Sequence, residues 1–370
     1  MADQATISSI APILNKVIFP KLQKLMSDNV VWLEKIKKNV QTSIANNEIY
    51  ISANNQYHSG FYTAVEGTEP PVGKSGYLQM KALVKFIFLT YGFTDQALTI
   101  AMKAGKEAIA GTFDSEFNSG METGRRHLNR IFHGDANGKL CVANGAGSPS
   151  TTLTVDGCPS TGGILEHTKF LAPGQYITIG TTEAQIATVD NDTQVTLEVT
   201  KTWSDNDVIT LTGDAEPMGL AGHIDDGDNV STYQNLLRSS YPQLKSQVDD
   251  TVEALSEADM IDIIIRARNK GQGPDVVLTN ADLWAKYAAL LLSMKRTNET
   301  KLIGGFSGLA INAGGKELAV VCDYDTWNGY VQMPRFAGFT IAQVTEMFEW
   351  MAGYGLLRCQ CCMCIQPDFA

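Results

Sequence analysis

No apolar run in the 370-residue chain approaches the ~18–20 residues needed to span a bilayer, and the first residues lack the pattern of a secretory signal. The expectation is a chain made and folded in a cytoplasm, with no membrane partner. There is no Gly-x-x-x-x-Gly-Lys loop to cradle a phosphate and no Gly-x-Ser-x-Gly elbow to present a nucleophile. The five histidines, His58, His127, His133, His167 and His223, are scattered without the paired spacing of a metal site, and read as surface or structural residues. No catalytic, cofactor-binding or metal-ligating residue is assigned, no cofactor is implied, and the chain is not read as an enzyme. Basic charge is also short: 29 Lys and Arg stand against 40 Asp and Glu, a net charge of −11. Such a chain does not wrap nucleic acid through its overall field, although a local basic face stays open.

Cysteine is present but in the wrong pattern for a secreted disulfide framework. Cys141, Cys158 and Cys322 are isolated, and Cys359, Cys361, Cys362 and Cys364 crowd the end of the chain, an odd total with a clustered half. Because residues of one parity share one side of a strand, the crowded four do not converge on a tetrahedral zinc if that segment is extended. They read as small buried side chains in a reducing compartment. A hydrophobic content of 44% with 19% charged residues describes a folded chain, long enough for two or three compact units.

What is there is organised around Lys106–His133. Ile109, Phe113, Phe117, Met121, Leu128, Ile131 and Phe132 keep to spacings of three and four apart from one gap, which Gly120 and Gly124 bridge. That is a helix period. The run Gly134-Asp135-Ala136-Asn137-Gly138 stops it with residues that tolerate left-handed backbone. Core glycines lower helix stability by up to about 1 kcal/mol each, so Gly111, Gly120 and Gly124 imply another element lying close against the rod.

Before the helix, residues 1–47 carry apolar groups broken by Pro12 and Pro20 and predict short kinked helices through about residue 38, an arm without its own core. Glu48–Ala53 alternates as a strand, a Pro/Gly-bearing stretch follows, and Leu83–Tyr91 returns. Together they predict an extended hairpin with a polar tip at Thr68–Gly76. After the helix, residues 139–150 read as a Gly/Asn/Ser linker, and 151–213 as a meander of short strands, a small barrel or sandwich. Asp190, Asp192, Asp205 and Asp207 lack the ligand spacing of a calcium loop and read as solvated turn residues. Beyond 214 the pattern is mixed: Ser256 caps a helix to Asn269, Asp275–Leu278 is a strand, Asn280 caps a second helix, strands follow at Leu318–Cys322 and Tyr330–Met333, and 356–365 is extended.

This order of parts, with the stretch Gly219-Leu220-Ala221-Gly222-His223-Ile224-Asp225-Asp226 and the strand–helix unit Pro274–Asn280 followed by Trp284 and Tyr287, resembles the major capsid proteins of tailed phages of the Hong Kong 97 type. The resemblance covers nearly the whole chain and implies an α+β fold of that type. Its parts would be an N-terminal arm (1–47), an extended loop with flanking strands (48–104), the spine helix of a peripheral domain (105–138), a linker and inserted small β-domain (139–213), an axial domain (214–345) and a return strand into the peripheral domain (346–370). The insertion departs from the basic plan of the family; its two ends are expected to lie together and its body on the shell exterior.

The function implied is a coat protein that self-assembles into the icosahedral head shell of a double-stranded DNA bacteriophage, built in the host cytoplasm and resident in the virion. Its implied partners are further copies of itself in hexamers and pentamers, a portal and a separate scaffolding protein, since the arm is too short for a fused one. Packaged DNA would be touched only non-specifically, and a decoration protein is an optional addition. Two other readings stay open: the shell of an encapsulin-like nanocompartment of the same fold, and a β-rich binding or adhesion protein.

Overall fold

The computed structural model describes residues 37–39, 44–45, 48–56, 58–63, 65–69, 72–92, 106–161, 166–213, 216–252, 254–271, 273–293, 309–336, 339–343, 348–351 and 356–367. The predicted arm falls outside these residues except for two short strands, β1 (Lys37–Asn39) and β2 (Ile44–Ala45). At Lys37 the expected helix therefore gives way to a strand.

The hairpin consists of β3 (Glu48–Gln56) and β4 (Gly76–Leu83), antiparallel from Glu48 opposite Leu83 to Gln56 opposite Gly76, with β2 beside β3. This corrects the predicted return strand. Residues 85–91, expected to close the hairpin, belong to β5 (Lys85–Gly92), which leaves for another sheet. Ile49, Ala82 and Val84 are buried together at the hairpin base, so the switch falls at a packed valine rather than at a turn residue.

Lys106–His133 is one helix, α1, with the bounds that the periodicity predicts. Its second half packs as expected: Met121, Leu128, Ile131 and Phe132 are buried. The side chains of Ile109, Phe113 and Phe117 lie outside the described set. The helix ends where the Gly134 N–H bonds to the Ile131 carbonyl, 3.1 Å, and the chain turns through positive φ at Ala136 and Gly138.

Residues 139–150 are not a linker. They supply β6 (Lys139–Ala143) and the start of β7 (Gly147–Asp156), which with β8 (Tyr176–Ile179), β9 (Thr182–Asn191), β10 (Gln194–Trp203) and β11 (Val208–Leu211) close a six-stranded barrel in the order β10-β7-β6-β11-β8-β9. Gly145 sits at a turn, Ser148 is exposed and Gly147 lies buried under the Trp203 ring, while Cys141 and Ala143 point inward with Leu153, Val155, Ile177, Ile179, Ile186, Val195, Leu197 and Ile209, and Leu140 is buried at an irregularity in the pairing of β6 with β11. Alternate inward residues on every strand, with no free edge, are what closure requires. First and last strands pair, Lys139 opposite Thr210, so the barrel begins and ends at one place.

The chain then forms a four-residue helix, α2 (Leu220–His223), and the short pair β12 (Thr232–Tyr233) and β13 (Leu236–Leu237). Next come α3 (Glu257–Asn269), β14 (Val276–Thr279) and α4 (Ala281–Ser293). The Ser256 hydroxyl accepts the Asp259 N–H at 3.2 Å, and the Asn280 side-chain oxygen accepts the Leu283 N–H at 2.9 Å, the two caps that the sequence predicts. With β15 (Leu309–Ala313), β16 (Lys316–Cys322) and β17 (Val331–Gln332), β14 makes a sheet of order β15-β16-β14-β17. In it β14 and β16 are parallel, as a crossover through α4 allows. Met260, Ile264 and Tyr287 from the helices bury against Val277, Ile311, Leu318 and Val320.

A last sheet unites distant segments. The strand β20 follows β18 (Phe339–Gln343) and β19 (Phe348–Met351) and spans Leu356–Pro367. It pairs with β5 along one edge and with β18 and β19 along the other, and β1 lies parallel to β18. The backbone through residues 359–364 is uninterrupted strand.

Candidate functional site

Two places stand out, one projecting and one buried. Beyond Gln56 and Gly76 the hairpin continues as a tip whose two sides are tied at one point. The Ser59 N–H donates to the Lys74 carbonyl at 3.2 Å, and the Lys74 N–H donates to the Ser59 hydroxyl at 3.1 Å. Gly60 and Gly73 pass so close that a Cβ on Gly73 would collide with the Gly60 backbone. Past this clasp, among the described residues, Phe61 is 93% exposed, Val65 81% and Val72 100%, with Tyr62 also exposed. The predicted polar tip is therefore apolar as well. Burying such a side chain is worth about 1.5–3 kcal/mol, so a cluster left in water marks a contact surface. The base is anchored, since Ala53 and Met80 are buried with Tyr233 and Leu244 and the Lys81 N–H bonds to the Gln234 carbonyl at 3.1 Å.

The buried place is a polar junction where α1, the barrel and the β14–β17 sheet meet. Asn129 Nδ2 donates to Asp325 at 2.6 Å and to Asp323 at 3.1 Å. The Lys169 ammonium, from the barrel, reaches Asp325 at 2.6 Å and the Tyr324 carbonyl at 2.9 Å. His133 is wholly enclosed, with Nδ1 2.8 Å from Gln332 Oε1 and Nε2 3.3 Å from Asp323 Oδ2. Burial opposes charge on that ring, but the Asp323 and Asp325 carboxylates and the Gln332 oxygen outweigh it and hold its pKa above the ordinary value. Around this centre the Asn328 N–H bonds to the Pro159 carbonyl at 2.8 Å, Arg126 donates to the Lys169 carbonyl at 2.6 Å, and Arg130 pairs with Glu216 while facing the Phe170 ring. The barrel is thus bolted to the rest of the chain, not strung on a linker.

The stretch 219–226 packs on the end of α1. A Cβ on Gly219 would collide with the Ile131 and Phe132 carbonyl oxygens, so only glycine lets the chain cross there. Further on, Asp225 binds Arg238 at 2.8 Å and accepts the N–H groups of Gly227 and Val230. Burial works against that carboxylate, but these donors, with Asn229, keep its pKa below the usual range. His223 Nδ1 meets the Tyr233 hydroxyl at 2.7 Å.

Of the five histidines, His133 and His223 are buried, His127 and His167 half-buried and His58 exposed. Among the described residues no group of three His, Cys, Asp or Glu is placed to hold a metal, and no helix is long and apolar enough to cross a membrane. Cys141 and Cys158 sit in the barrel core, where burial pushes both thiols up and away from the reactive thiolate. Reading the sequence by period alone misses the junction. Its signal is Asn129 and His133, polar residues four apart beside the apolar stripe, and the pair Asp323 and Asp325 just beyond an apolar strand.

No protein-family model matches the chain, and no curated protein sequence matches it. Among solved structures it is similar to the capsid asymmetric unit of cyanophage A-1(L), with a TM-score of 0.52 and 11% identity, covering 92% of this chain and 90% of that one. The procapsid of satellite phage P4, including the size determination (Sid) protein, aligns at a TM-score of 0.41 and 9% identity over 100% of this chain and 95% of that one. At 11% identity the cyanophage likeness concerns the fold: a mixed α/β chain folded like a phage capsid subunit. That likeness runs through nine-tenths of both chains.

Proposed function

We propose that the chain is the major capsid protein of a tailed double-stranded DNA phage, a non-catalytic subunit that self-assembles into the head shell. The observation that carries this reading is the capsid-subunit fold shared over 92% of the chain. In this reading residues 48–92 include the extended loop, α1 is the spine of a peripheral domain, residues 216–343 are mostly the axial domain and β20 is the return strand. The barrel is then an insertion on the outer face, a placement that its adjoining ends support. The exposed Phe61, Val65 and Val72 would seat on a neighbouring copy, where their burial replaces contact with water. Hexamers and pentamers, a scaffolding protein and a portal would be the partners, and packaged DNA would meet the shell without sequence preference.

The test is a pair of substitutions at the tip, Val65→Asp and Val72→Asp, read by particle yield alongside the melting of the unassembled subunit. The reading predicts an unchanged melt with a large loss of particles. Normal particles of normal stability from the variants would remove the tip from the assembly contacts, and no particles from the unaltered chain would sink the reading. An encapsulin-like shell is separated by the contents of purified particles, DNA in one case and cargo protein in the other.

A further inference from the structure

The junction around His133 carries a charge balance that the shell reading does not use. Two carboxylates, Asp323 and Asp325, face two groups able to be cationic, His133 and Lys169. Both ring nitrogens of His133 point at oxygens, Nδ1 at Gln332 Oε1 and Nε2 at Asp323 Oδ2. Only the doubly protonated imidazolium donates from both nitrogens. With His133 charged, the ring stands as a cation 3.3 Å from the Asp323 carboxylate; with His133 neutral, that attraction is lost in an enclosed site. The groups facing the ring from each side are Asp323 and Asp325 from the loop after β16, Gln332 from β17, and Asn129 and Phe132 from its own helix; Lys169 acts from the barrel through Asp325.

We propose that this cluster is a protonation-dependent latch. While His133 carries its proton, the latch clamps the barrel and the β14–β17 sheet onto the end of α1. Loss of the proton removes the cation beside Asp323 and loosens the clamp, so the barrel's attachment weakens as pH rises through the ring's own pKa. The bolt through Lys169 and Asp325 makes the barrel the part that responds, because Lys169 is the barrel's charged contact to the pair of carboxylates. The pH dependence has a definite sign. A folded-state pKa above the ordinary value of 6.5 gives stabilisation that is complete below 6.5 and is lost as pH rises through the folded value.

The experiment uses the full chain labelled with 15N-histidine, followed by NMR across pH, with hydrogen exchange of residues 168–171 and 323–326 measured in parallel. The ring of His133 should titrate above 6.5. After correction for intrinsic exchange, protection of both segments should fall about tenfold per pH unit between 6.5 and the ring's own pKa, then level off. His133→Gln should give a flat profile at the level of the alkaline wild type. Asp323→Asn, which removes one carboxylate, should move the ring's titration down and flatten the slope. A ring that titrates at or below 6.5, or a His133→Gln variant that keeps the wild-type slope, overturns the latch. If the variants fail to fold, the wild-type ring titration decides alone. None of these outcomes depends on whether the subunit builds a shell.

Discussion

Asp325 is held by Lys169 from the barrel and Asn129 from the helix, so Lys169→Met leaves a buried carboxylate without its cation. Breaking one side of such a pair costs about 3–5 kcal/mol, far more than an exposed ion pair such as Lys286 with Asp282, worth about 0.3–0.5 kcal/mol at helix spacing. The expected outcome is a clear drop in melting temperature for Lys169→Met, largely recovered when Asp325→Asn is added. Failure of the second change to recover stability would mean that the loss lies in packing against Phe170. His127 supplies a second residue-scale prediction, of opposite sign to His133. Burial, then Arg130 and Arg126, push its pKa down to about 4. A depressed histidine is stabilising above 6.5, and that contribution drains away as pH falls toward 4, a loss of about 3 kcal/mol. His127→Phe, packed beside Phe170, should therefore shift the acid-unfolding midpoint downward. An unchanged midpoint would show that the ring stays hydrated.

At the scale of elements, α1 shows the strongest correspondence between pattern and structure. Its bounds follow from the periodicity and from the glycine-bearing stop after His133. The half-buried Gly124 lies in the middle of this rod, and Gly124→Leu should lower the melting temperature, since overpacking typically costs about 1–3 kcal/mol; an unaltered melt would place that position in open solvent. The caps at Ser256 and Asn280 were equally legible, because a short polar side chain ahead of an apolar period has one main use. The hairpin was read with the wrong return strand. Leu78, Met80 and Ala82 share its inner face, but small and flexible side chains dilute the alternation there. The denser run of residues 85–91 won, although it pairs with β20, a partner more than 250 residues away and invisible to local pattern. Residues 139–150 failed for a related reason: glycine and serine such as Gly145 and Ser148 look like linker when the inward residues of the stretch are as few as Cys141 and Ala143. The junction was illegible because its members come from α1, the barrel and the sheet, and only the fold brings them together.

For the whole molecule, the barrel's boundaries decide how it can be removed. Excision of residues 151–213, the span that composition suggests, would cut β7 and leave β6 unpaired. Excision of 139–211 instead joins Gly138 to Thr212, which flank the paired positions Lys139 and Thr210, and a short Gly/Ser bridge suffices. The remainder should fold with reduced stability, since Asn129, Asp323 and Asp325 lose Lys169, and Asp325→Asn should restore part of it. Circular dichroism checks this; a remainder with no cooperative melt in either background would show that the barrel is part of the core rather than an addition to it.

The central claim is that this fold builds a shell, and electron microscopy of the full chain, alone and with lysate of its natural source, tests that most directly. The account predicts closed, regular particles made of this chain, formed at least when the accompanying assembly proteins are supplied, and their loss in the Val65→Asp, Val72→Asp double variant. A chain that stays monomeric by sedimentation at micromolar concentration under both conditions, with no particles on the grid, would contradict it.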